Sequence, residues 1–203
     1  MARRLYLVEF DLLALGRTAV MVAGGMESMS RAPHLLMQLR AGQKAGPATM
    51  VDHMMHDGLE DAYEAGRPMG SFGEAAAAKY GFDRAAQDAF AMETLSRAQA
   101  AQDAGAFDAE LVAVTVPQRK GPVTVAQDER PGLLDPAKIP GLRPAFAQDG
   151  TITAASASAN ADGAAALVLT RRSVAEARGM PILARVAGQA AHAQDPAWYT
   201  TAP

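Results

Sequence analysis

The chain has 203 residues, 49% of them hydrophobic and 20% charged, a balance that excludes a disordered protein and suits one globular domain, or one and a half small ones. Its net charge of −3 argues against a nucleic-acid binder, whose affinity rests on neutralising phosphates. With no cysteine there is no disulfide, no Cys–zinc site and no thiol nucleophile, and without an apolar run of about 18 residues no membrane span is expected. The expected setting is cytoplasmic.

Leu5–Leu15 is apolar enough for a helix or a strand, and Glu9 and Asp11 interrupt what would otherwise resemble a signal peptide. Ala19–Ala23 reads as a buried strand, which Gly24 and Gly25 are expected to end. No G-x-G-x-x-G or G-x-x-x-x-G-K pattern follows, so the glycines are no phosphate-binding fingerprint. Pro33, Gly42, Gly46 and Pro47 leave 35–51 as an excursion with short helical pieces.

The spacing of Met55, Leu59 and Ala62 predicts a helix over Asp52–Ala65, closed by Gly66. Ser71–Lys79 predicts a short helix ending at Gly81. The strongest helical signal is Asp83–Ala104: Asp83 is placed to cap it, Ala86, Phe90 and Thr94 repeat at four, and Gly105 stops it. Phe107–Val116 alternates like a strand. Six prolines between Pro117 and Asp149 exclude long regular elements, and a connection of that length is expected to carry a function or pack over something.

Thr151–Thr170, TITAASASANADGAAALVLT, opens with small residues and ends in an apolar run, Ala164–Thr170, with the composition of a strand buried on both faces. Small side chains before that run let a backbone or a ligand approach closely, with hydroxyls from Ser156 and Ser158. Ser173 and Glu176 form a capping-box pattern for a short helix closed by Gly179. Ile182–Gln189 reads as a strand, and Pro196–Pro203 carries no evident packing signal. The strands at 19–23 and 164–170 are expected in one sheet, with a mostly helical insertion laid over it.

Reactive side chains are sparse. His53 and His56, three apart beside Asp52 and Asp57, hint at a metal but lack a third ligand at useful spacing, so no metal site is assigned. His34 and His192 have no nucleophile beside them, and no G-x-S-x-G elbow is present. Met69 is a candidate for a methionine-lined groove, and Arg119, Lys120 and Arg130 for meeting phosphate.

Val20–Arg31 (VMVAGGMESMSR) and Val51–Leu59 (VDHMMHDGL) closely resemble the thiolase family of acetyl-CoA and 3-ketoacyl-CoA acyltransferases. Pro68-Met69-Gly70, Lys79-Tyr80-Gly81, Gln87–Phe90, Leu142–Phe146 and Thr151–Thr170 continue the resemblance in order, to about Pro203. Met1–Leu15 does not share it. The resemblance implies an α/β fold: part of a layered α/β/α core, with a mostly helical loop domain inserted. Its expected divisions are 1–34 (partial core), 35–140 (loop domain) and 141–203 (return to the core and start of the interdomain linker).

By the same resemblance the ligand is coenzyme A or an acyl-CoA thioester, with no prosthetic group. Leu59 and Met69 would line its groove. Ala154, Ala157 and Ser158 would form the small-residue wall beside the pantetheine arm, and Arg130 would meet the adenine or phosphate end. The family's frequent histidine is replaced by Pro68, and a glycine by Ala159.

Family chemistry is acyl transfer between acyl-CoA and CoA or acetyl-CoA, by thiolysis or Claisen condensation. It uses a nucleophilic cysteine, a second cysteine, a histidine and an oxyanion hole. None of these matches a position here, so the expectation is a truncated polypeptide, inactive alone, with a residual coenzyme surface. The alternative is a structural subunit: a homo-oligomer, or a chain whose core is completed by a thiolase-like partner.

Overall fold

The structure is a computed structural model that describes residues 2–202; the expected divisions 1–34 and 141–203 end on Met1 and Pro203, which lie outside the described residues. In chain order the elements are α1 (Ala2–Ala14), β1 (Val20–Ser28), β2 (His34–Leu36), β3 (Met50–Asp52), α2 (Gly70–Tyr80) and α3 (Arg84–Asp103). These are followed by β4 (Val114–Val116), β5 (Val123–Val125), α4 (Arg130–Leu133), β6 (Asp162–Thr170) and α5 (Arg172–Ala177). The chain divides into two compact units: residues 1–59, 160–194 and 202–203 form the first, and 60–159 with 195–201 form the second.

The first unit is built on an antiparallel ribbon. β1 and β6 pair from Val20 opposite Thr170 to Ser28 opposite Asp162, joining the two expected strands in one sheet. β1 does not end at its glycines. It runs through them, because a Cβ at Gly24 would strike the Ala165 carbonyl of β6, and only glycine permits that approach. β6 corrects a second expectation. It is a strand, but most of it is exposed, since the ribbon has two strands and α1 lies mainly against β1.

The N-terminal segment resolves to helix. Arg171 holds its end by donating from Nη1 to the carbonyls of Leu13, in the last turn of the helix, at 2.7 Å and of Thr18, in the loop after it, at 3.2 Å. Leu13 and Ala23 are buried here. α5 also departs from expectation. Arg171, not Ser173, sits at its N-cap without a side-chain cap bond, and Glu176 pairs with Arg172 at 2.8 Å.

β2 and β3 form a short hairpin, His34 opposite Asp52 and Leu36 opposite Met50. The helix expected over Asp52–Ala65 is instead one π-helical turn, Met54–Leu59, after which the chain bends back so that Glu60 bridges Pro68. The Asp52 carboxylate takes the Met54 amide at 2.9 Å, capping a wide turn that does not propagate.

In the second unit α3 matches its sequence signal, with Asp83 Oδ1 accepting from the Ala86 amide at 2.7 Å. Its buried face is different. Asp88, Ala91 and Leu95 point inward, and Phe90 is 74% exposed. Arg84 decides this: its Nε binds Asp88 at 2.8 Å while Nη2 donates to the carbonyls of Ile139 and Leu142 at 3.1 and 2.8 Å. The fully buried Ile139 is thereby fixed against α3.

The strand expected over Phe107–Val116 shrinks to β4, which pairs with β5 inside the proline-rich connection. Ile182–Gln189 has strand composition but no strand, for it finds no ladder partner among the described residues. Conversely Pro196–Thr201, expected to lack packing, coils into a helical turn against α2.

Candidate functional site

The first residues of α2 and the segment 144–158 form the most tightly knit part of the second unit. Pro144 bridges Thr153, and the Ala145 amide donates to the Ile152 carbonyl at 2.8 Å, giving a small loop. The Phe146 ring of that loop lies where a Cβ of residue 70 would be, so only glycine fits at the start of α2. One turn on, Ile152 Cδ1 lies 2.7 Å from the Cβ position of Gly73.

Glu74 locks this packing. Its carboxylate accepts from the Thr151 amide at 2.9 Å, the Ile152 amide at 2.9 Å and the Thr151 hydroxyl at 3.1 Å. Gln87 then donates to the Thr151 hydroxyl at 2.6 Å. A carboxylate that accepts two successive backbone N–H groups fixes the path of the chain far more than one polar contact does.

Thr153, fully buried, carries the order onward. Its hydroxyl accepts from the Ala155 amide at 3.2 Å, its amide donates to Ser156 Oγ at 3.0 Å, and its carbonyl accepts from the Ala157 amide at 2.8 Å. Ala154 and Ala157 thus sit on a hydrogen-bonded turn, Ala154 exposed and Ala157 half-buried, and the exposed Ser158 follows it. Such a turn presents a low wall of methyl and hydroxyl groups over a rigid base.

Met69 precedes α2 at its N-cap and is half-buried. Its carbonyl accepts from the Phe72 amide and from the Tyr199 hydroxyl, both at 3.2 Å. Met69 and Glu74 thus stand on the same short helix, Met69 at its N-cap and Glu74 in the clamp that orders Thr151 and Ile152. Arg130 opens α4, exposed, with its amide on Asp128 at 2.9 Å; Gln99 and Gln102 of α3 tie down its neighbours through the carbonyls of Pro131 and Asp128. Leu59, half-buried, ends the π-helical turn in the first unit.

Glu74, Thr151 and Tyr199 were not singled out in the sequence. Glu74 carries no local signal, being one acid on a short helix. Tyr199 follows a proline in a segment with no apolar period.

The first unit has its own polar cluster. Asp162 accepts from the Ser30 amide at 2.9 Å, from the Ser28 hydroxyl at 3.3 Å and from the Ser30 hydroxyl. These bonds, that to the Ser30 side chain foremost, hold its carboxyl below the usual carboxylate value. His53 Nε2 meets Asp57 at 3.3 Å, and among the described residues no group of three His, Asp or Glu is placed to hold a metal. No helix among them is long and apolar enough to cross a membrane.

Comparison with known proteins identifies the frame of this site. The family model for the thiolase N-terminal domain matches residues 9–173, beginning inside the segment expected to lie outside the resemblance. Acetyl-CoA acetyltransferase of Schizosaccharomyces pombe is 44% identical over 190 residues, 93% of this chain and 48% of its own. Acetyl-CoA acetyltransferase 2 of Arabidopsis thaliana is 45% identical over 195 residues, 94% of this chain and 48% of its own.

Among solved structures, an acetyl-CoA acetyltransferase from Syntrophomonas wolfei superposes with a TM-score of 0.79 at 35% identity, covering 89% of this chain and 45% of that one. The Acat5 thiolase of Ascaris suum, solved in complex with coenzyme A, gives 0.78 at 37% identity, with the same coverage. The chain spans about half the length of the curated relatives it matches. It has the thiolase fold over that half, and it belongs to the thiolase family.

Proposed function

We propose that this chain presents a coenzyme A or acyl-CoA surface of the thiolase type, with Met69, Ala154, Ala157 and Ser158 against the pantetheine arm and Arg130 toward the phosphates. Leu59, in the first unit, is assigned to the ligand by the resemblance alone. Residues 35–140 are read as the loop domain on the same ground. The observation that carries the proposal is the clamp on Thr151 and Ile152 by Glu74, a residue of the helix that Met69 caps, which holds the start of the small-residue turn rigid. A thin, flexible ligand gains most from such a surface, because the ordering cost is met before it arrives. The kinship with a thiolase solved with coenzyme A supports the choice of ligand.

The family reaction is acyl transfer through a thioester. With no cysteine among its 203 residues, this polypeptide offers no thiolate to accept the acyl group, and a serine without an activating base is a far weaker nucleophile. The 203-residue chain by itself therefore binds without turning over. Calorimetry with coenzyme A tests the first half, and no heat at millimolar ligand removes it. Thiolysis of acetoacetyl-CoA by the purified chain, well above a buffer control, removes the second.

A second reading is a subunit completed by another thiolase-like chain, or by a copy of itself. It is favoured by the ribbon's open apolar face, where Val22, Met26 and Val168 are 66%, 74% and 61% exposed. Light scattering that finds only monomer at high concentration removes it.

A further inference from the structure

The helical turn at Pro196–Thr201 belongs to the second unit although more than a hundred residues separate it from α2. Its contacts with the α2 entry are specific. The Tyr199 ring meets Phe72 edge-on, centroids 5.7 Å apart and planes at 76°. The other partner of Phe72 is Arg67, whose guanidinium carbon stands 3.9 Å from the ring centroid while its Nε donates to Ser71 at 3.1 Å. Phe72 is 3% exposed, so this stack is the floor of the α2 entry.

Above that floor the Tyr199 hydroxyl reaches the Met69 carbonyl. That carbonyl belongs to the first turn of α2, flanked by Pro68, which has no N–H, and Gly70, where Phe146 leaves no room for a side chain. The tyrosine is thus the side chain that fixes the peptide after Met69. Partial burial raises its phenol above the ordinary value, and at neutral pH the hydroxyl is protonated and donates.

We infer that Tyr199 is a positioning residue for the pantetheine groove: it sets the Met69 peptide, and through it the Met69 side chain, for contact with the ligand. This rests on the reading that Met69 lines the groove. Its reach is local: the ring packs on Phe72 beside Arg67, and the hydroxyl adds a second hydrogen bond to the Met69 carbonyl, which the Phe72 amide also holds.

Tyr199→Phe separates the two. The probe is S-ethyl-coenzyme A, a thioether that cannot hydrolyse, titrated by calorimetry into the full chain, alongside spectra of the protein labelled at its methionine methyl groups. The expected result is an affinity about 3- to 10-fold weaker, the worth of one hydrogen bond. The thermal midpoint should stay within a degree or two, and the Met69 methyl resonance should move while the methionines of the first unit keep their positions. Equal affinity with an unmoved Met69 resonance overturns the inference and leaves the coenzyme reading standing. A midpoint that falls steeply with unchanged affinity makes Tyr199 merely structural and also overturns it. Failure of the unaltered chain to bind the thioether at millimolar concentration removes the coenzyme reading itself, and the inference with it.

Discussion

The Glu74 carboxylate spans the amides of Thr151 and Ile152, 77 and 78 residues away in sequence, and this one side chain orients the turn that holds Ala154 to Ser158. Replacing Glu74 with Gln removes a charged acceptor and turns an amide group toward backbone donors. The expected cost is roughly 2 kcal/mol of stability, the range for hydrogen bonds to charged groups. Urea denaturation measures it, and a coenzyme titration of the folded variant should show weaker binding, because the small-residue turn loses its anchor.

Gly70→Ala drives a methyl group into Phe146, so overpacking should destabilise the second unit by about 1–3 kcal/mol. The double variant Gly70→Ala with Phe146→Leu opens the space again and should recover part of the loss. A double-mutant cycle by thermal unfolding reads the coupling. Additive losses would show that the two residues do not contend for the same space.

Ala154→Leu probes the ligand surface directly. The side chain is exposed, so stability should change by no more than about 0.5 kcal/mol. On the proposed reading, in which Ala154 faces the ligand, a branched side chain there should still weaken coenzyme A binding about tenfold or more by steric exclusion. Calorimetry checks it, and unchanged affinity would remove Ala154 from the site.

Asp162 ties the end of β6 to Ser28 and Ser30, and its folded-state value lies below the ordinary 3.8. A depressed carboxyl contributes stability that is complete above about pH 5 and is lost as pH falls through the ordinary value to the depressed one. Asp162→Asn should therefore lower the thermal midpoint at neutral pH, with the gap from the unaltered chain closing in acid. A gap constant from neutral pH to pH 3 would mean that the serine bonds do not depend on the charge.

Two signals in the sequence were strong enough to survive folding intact. Asp83 capped α3 as its position predicts, and Ala19–Ala23 with Ala164–Thr170 marked two strands of one sheet, though β1 runs on through Gly24 and Gly25. Both are properties of neighbours along the chain: a cap bond three residues away, or a run of small and branched apolar residues that favours extended backbone. The repeat of Ala86, Phe90 and Thr94 marks α3 as a helix but not its buried face, which the ion pair of Arg84 with Asp88 turns to Asp88, Ala91 and Leu95. At Met54–Leu59 an acid cap favours a π-helical turn over the longer helix that apolar spacing suggests.

Of the candidate site, the sequence named Met69, Ala154, Ala157 and Ser158 but not what holds them. Glu74, Phe146 and Tyr199 act across 130 residues or fewer of intervening chain, and none belongs to a periodic pattern that marks its partner.

By itself the sequence determined the family, the absence of a thiol nucleophile and the long helix α3, because each is written in residue identities or local order. Only the tertiary structure decided that β6 stays largely exposed on a two-stranded ribbon, that Ile182–Gln189 forms no strand, and that Glu74 and Tyr199 fix the segments around Thr151 and Met69. The physical reason is common to all of these. A strand exists only when another strand accepts its hydrogen bonds, and a polar clamp exists only when folding brings donor and acceptor within about 3 Å of each other.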